Sequence, residues 1–134
     1  MTIVDAHIHV NGDHAACLAL LERLDLKFLN VCVAHSGEAW RAGREAFDAL
    51  AQAHPERYAW CTTFDLPDFS PDYAERVIAE LEQDFARGAI ACKVWKNVGM
   101  EIIKPSGEFL MVDDPLFDPL FDYLARHEIP ALMH

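Results

Sequence analysis

Short apolar, β-branched runs recur along this chain at nearly even intervals: Ile3 to His9, Phe28 to Ala34, Tyr58 to Phe64, Ile90 to Lys96 and Ala131 to His134. Longer segments of helical period separate them. Parallel strands cannot be joined by tight turns and need crossovers of a dozen or more residues, usually helices, so this alternation predicts a parallel α/β sheet. Measured between strand ends, the repeat is 26 residues from His9 to His35, 30 to Asp65, 31 to Lys96 and 38 to His134. A βαβ unit takes roughly 30.

Four helices fill the intervals. The first gathers Cys17, Leu20, Leu21 and Leu24 on one stripe, and the second Trp40, Phe47, Leu50 and Ala51. The third has Ser70 as a cap, Pro71 in its first turn, a stripe of Ala74, Val77, Ile78, Leu81 and Phe85, and Gly88 as its stop. The fourth begins at Asp114-Pro115, buries Leu116, Phe117, Leu120, Phe121 and Leu124, and ends before Pro130. The longer last interval reflects an insertion, Asn97 to Asp113, with a hairpin turning at Pro105-Ser106-Gly107. It is expected over the C-terminal ends of the strands, where barrels and open sheets keep their sites.

No linker or low-complexity tract divides the chain, so residues 1–134 are expected to form one domain. The net charge of -11, from 22 acidic against 11 basic residues, disfavours nucleic acid and anionic membrane surfaces as partners. A small-molecule substrate fits it better, and a homo-oligomer stays open. The amino terminus lacks the basic start and apolar run of a signal peptide, and no stretch reaches membrane-spanning length, so a cytoplasmic location is expected. Cys17, Cys32, Cys61 and Cys92 form no CxxC pair and read as reduced thiols.

The chemistry is concentrated in the first strand. Ile3, Asp5, His7 and His9 alternate with Val4, Ala6, Ile8 and Val10, giving one polar and one wholly apolar face. In a barrel the apolar face meets the helices and the polar face points into the lumen. Two imidazoles on one rigid strand can then bind a divalent metal through neutral nitrogen donors. Asp5 lies deeper on that face and suits a supporting hydrogen-bond role. The competing reading is a pair of packed core histidines, but two buried imidazoles and a carboxylate are costly without a shared purpose.

Asp5-Ala6-His7-Ile8-His9 resembles the strand-one signature of the amidohydrolase superfamily. Ala91-Cys92-Lys93-Val94-Trp95-Lys96-Asn97-Val98-Gly99-Met100 and Ile129-Pro130-Ala131-Leu132-Met133-His134 resemble strands four and five of its amidohydrolase-related branch, which includes metal-dependent decarboxylases, lactonases and hydratases. The resemblance implies an incomplete (β/α)8 TIM barrel, strands 1–5 with four helices. A whole barrel takes about 250 residues, so the chain is expected to be the N-terminal portion of a barrel enzyme, a truncated product or a fragment.

The resemblance also implies His134 as a further metal ligand at the end of strand five. Lys93, placed in the lumen by strand parity, would be a metal-bridging carbamate or a substrate contact, with Lys96 at the mouth attracting a substrate carboxylate. The implied cofactor is a divalent metal, zinc first, with manganese or iron as alternatives. It would activate water or polarise a carbonyl. The family's catalytic histidine near strand six and aspartate after strand eight would lie beyond His134.

Cys32, Cys61 and Cys92 could suggest a thiolate site, but buried apolar packing is the ordinary role of free cysteine. Of His14, His35, His54 and His127, only His35 falls at a strand C-terminal end, as does Asp65. The function expected is a metal-dependent hydrolase acting on a small carboxylated molecule. The alternatives are a decarboxylase or lactonase of the same branch, a deoxyribonuclease-like relative, and a non-catalytic truncated module.

Overall fold

A computed structural model describes residues 1–33 and 39–133. Five strands, β1 (Ile3–Ile8), β2 (Leu26–Val31), β3 (Tyr58–Thr62), β4 (Ala91–Lys93) and β5 (Ala131–Leu132), lie in the order of the sequence, and every adjacent pair is parallel. The sheet is a curled half-barrel that does not close. Helices α1 (Ala15–Leu24), α2 (Ala39–Ala53), α3 (Tyr73–Ala86) and α4 (Asp118–Arg126) make the crossovers.

Strand parity sorts the side chains between two layers. Trp60 and Cys92 pack outward beneath the helices, Trp60 with Cys32 and Phe47, and Cys92 with Phe64, Tyr73, Leu81 and Phe117. Cys61 and Ala91, each one position along, turn to the opposite face and meet Val31, Leu29 and Leu132. The largest cluster lies under α3 and α4 and takes in Leu110 from the insertion.

Several local expectations need correcting. Helix α3 starts at Tyr73, not at Ser70-Pro71, and Ser70 is not its cap. The Ser70 hydroxyl donates to Asp68 Oδ1 (2.6 Å), and the Ser70 backbone N–H donates to the same oxygen (3.0 Å). That turn competes with a helical start. The other end behaves as read: Ala89 N–H donates to Asp84 O and Gly88 N–H to Phe85 O, both 3.0 Å, with Gly88 at φ 107°. The fourth helix opens as a 3-10 turn, Pro115–Phe117, capped by Asp114 Oδ1 accepting from Leu116 N–H (3.0 Å). On α1 the expected stripe is mostly unburied: Leu21 is fully enclosed, whereas Leu20 and Leu24 are exposed. Strand β2 begins two residues earlier than read and ends at Val31, and β1, β3, β4 and β5 are shorter.

The hairpin of the insertion forms where expected, with Ile103 and Phe109 in an antiparallel bridge. Gly107 N–H donates to Lys104 O (2.9 Å), and its φ of 88° is the left-handed conformation that returns the chain. Helices α2 and α3 are tied by charge. Arg41 clasps Asp65 and Glu80, Arg44 reaches Glu80 and Asp84, and Arg87 spans Glu45 and Asp48. Among the described residues, no helix is long and apolar enough to cross a membrane.

Candidate metal centre

His7 and His9, two positions apart on one strand, project from the same face of β1, and their rings meet edge to face with centroids 5.2 Å apart. The ladder to β2 is irregular here, its register shifting between Asp5 and Ile8. Side chains take over from the backbone. Val10 N–H donates to Asn30 Oδ1 (2.8 Å), and His9 Nδ1 lies 2.8 Å from Val31 O. A carbonyl oxygen only accepts, so Nδ1 carries the proton and the Nε2 lone pair is left for a ligand. Asp5 Oδ1 accepts the backbone N–H of His7 (3.1 Å), bracing the strand that carries the pair.

Both imidazoles line one pocket with Cys32 and Val33 after β2, and with Lys93, Trp95, Lys96 and Asn97 at the end of β4. Lys93 is buried at 7% exposure, and the loss of water around its ammonium lowers its pKa. The pocket therefore brings two imidazoles together with a largely buried amine and an indole, although His7, His9 and Asp5 are exposed, not buried as expected from the sequence.

Burial raises the Cys32 and Cys92 thiols, and pushes Cys61 up to about 12. All three stay protonated at neutral pH. They also divide between the two faces of the sheet, Cys32 and Cys92 in helix-side clusters and Cys61 on the other face, so they make no common thiolate site. Asp65 is bound up in the helix layer, accepting from Arg41 and from Trp40 Nε1 (2.8 Å). His54 pairs with Asp13 (3.0 Å), and His127 packs on Tyr123 with centroids 4.6 Å apart. His14, near Gly12, is not a pocket residue either. His35 and His134 lie outside the described residues. Among those described, no three His, Cys, Asp or Glu side chains converge as metal ligands.

Asn30 and Thr63 were not singled out in the sequence, yet both hold strands that carry pocket residues. Asn30 had a signal. Asparagine is disfavoured inside strands, and here it interrupts the apolar run Phe28-Leu29-Asn30-Val31. Thr63 had none, because threonine is an ordinary strand residue.

No family model and no curated protein matches the chain. A solved structure does. It is the 4-oxalomesaconate hydratase LigJ from Rhodopseudomonas palustris, with a TM-score of 0.61 and 17% sequence identity over 90% of this chain. This chain spans 36% of its length. At that identity the likeness concerns the fold alone.

Proposed function

We propose that this chain is the N-terminal portion of a metal-dependent hydrolase barrel, and that His7 and His9 supply two ligands to a divalent ion, zinc first, with manganese or iron compatible with the same donors. One observation carries the reading: the paired imidazoles face a common pocket, with His9 Nδ1 held by Val31 O so that Nε2 is the coordinating atom. Imidazole nitrogens are ordinary ligands of such ions. His7 and His9 share the pocket, and the resemblance in sequence makes His134 the candidate for a third ligand. A bound ion would supply Lewis-acid activation of water or of a substrate carbonyl.

The chain's own residues would bind and orient the substrate. Lys93 and Lys96 bring amines to the pocket that the histidines line, suited to a carboxylate, and Trp95 adds an apolar face. Lys93 is alternatively a bridging group once carbamylated. A second reading, addition of water across a carbon–carbon double bond, is favoured by the hydratase among its fold relatives. Both readings need the same two ligands.

Cobalt(II) tests them together, because its visible absorption reports nitrogen ligation in a site of low symmetry. The parent chain is expected to develop that absorption on adding cobalt, and the His7→Ala, His9→Ala double variant to lose it. An identical spectrum from the double variant would overturn the reading.

A further inference from the structure

We infer that Thr63 is a positioning residue for the pocket, its single hydroxyl fixing both Lys93 and Trp95. The inference rests on the proposed pocket only for its functional meaning, since the geometry stands apart from any metal. Cys92 N–H and Val94 N–H donate to Pro130 O (2.9 Å) and Leu132 O (2.8 Å), so the backbone of Lys93, between them, faces β3. The β3–β4 ladder supplies only the pairs Cys61 with Ala91 and Thr62 with Cys92. Past that point a side chain makes the connection. Thr63 Oγ1 donates to Lys93 O (2.8 Å) and accepts from Trp95 Nε1.

Thr63 is fully buried. A hydroxyl can donate and accept at once, and this one does both, toward two residues that line the pocket beside the histidines. Removing it breaks the hydrogen bonds that a buried indole N–H and a buried carbonyl now make to Thr63, a cost that side-chain rotation or strand movement would relieve. Lys93 and Trp95 would then leave their present positions together. The methyl group has no such part, so serine should substitute for threonine and valine should not.

The test uses the full 134-residue chain labelled with nitrogen-15 and carbon-13. Trp95 is identified by the indole resonance missing from Trp95→Phe, and the Trp40 and Trp60 indoles serve as internal references. Thr63→Val is expected to shift the Trp95 indole and Lys93 carbonyl resonances, and to speed exchange of that indole proton by about ten-fold or more. Thr63→Ser is expected to leave both resonances near their parent positions. Three results would overturn the inference: an unmoved Trp95 indole in Thr63→Val, equal shifts at all three tryptophans, or a Thr63→Ser variant as displaced as the valine. Should the valine variant fail to fold, the serine variant still decides, because displacement of Trp95 there contradicts a role for the hydroxyl. None of these readouts depends on metal, so failure of the metal site and failure of this inference are distinguishable.

Discussion

The two flanks of the sheet are built to different standards. Under α3 and α4, strand β4 is buried along its whole length, and Phe117, Leu81 and Leu120 are at most 1% exposed. At the other flank, Ile3 and Val4 of β1 are 51% and 62% exposed, and α1 encloses only Leu21 completely. The candidate ligands His7 and His9 stand on the thin flank, whereas Lys93 and Trp95 stand on the thick one. The comparison teaches that the pocket joins a rigid wall to a lightly covered strand, and that the strand is located by specific hydrogen bonds from Asn30 and Val31 more than by packing.

The largest test of that contrast is Phe117→Ala, which removes a fully buried ring and should cost about 3–5 kcal/mol in denaturant unfolding. A loss below 1 kcal/mol, measured the same way, would mean that the thick flank is not the seat of stability.

An intermediate effect is expected from pH. Burial raises the Asp84 carboxyl, although Thr62, Arg44 and Arg87 favour its ionised form; Glu80 adds to the rise. Its folded pKa lies above its unfolded value, so its contribution to stability is fully present below the unfolded pKa and is lost as pH rises through the folded one. Asp65, lowered by hydrogen bonds from Arg41 and Trp40 despite the opposing effect of burial, and Asp68, held at about 2 by Ser70 and Arg76, act in the opposite direction. Their contributions are lost as pH falls through their folded pKa values. Asp84→Asn should therefore steepen the loss of stability on acidification, read as the slope of unfolding free energy against pH. An unchanged slope would contradict a raised Asp84.

The smallest effect belongs to the thin flank. Leu24→Ala, at 48% exposure, should change stability by no more than about 0.5 kcal/mol, despite its place on the helical stripe read from the sequence. A cost comparable to that of Phe117→Ala would remove the asymmetry between the flanks.

The order and direction of the strands were legible because parallel sheets impose both a period and a burial pattern on their sequences. The common face of His7 and His9 was legible for the same reason, since strand parity is a local property. The uneven burial of α1 was not, because periodicity marks the face a helix could bury without saying how much surface meets it. The start of α3 was misread because the Asp68 carboxylate captures Ser70, a local contest that the residue types alone leave undecided. Thr63 was hidden for a further reason: its role arises where the β3–β4 ladder gives out, and that point is fixed by tertiary geometry.

The central claim is that His7 and His9 form part of one metal site, and zinc titration of the full chain by calorimetry tests it most directly. One tightly bound ion per chain is predicted for the parent, and its loss for the His7→Ala, His9→Ala double variant with the fold retained. Equal stoichiometry and affinity in the two proteins would contradict the claim.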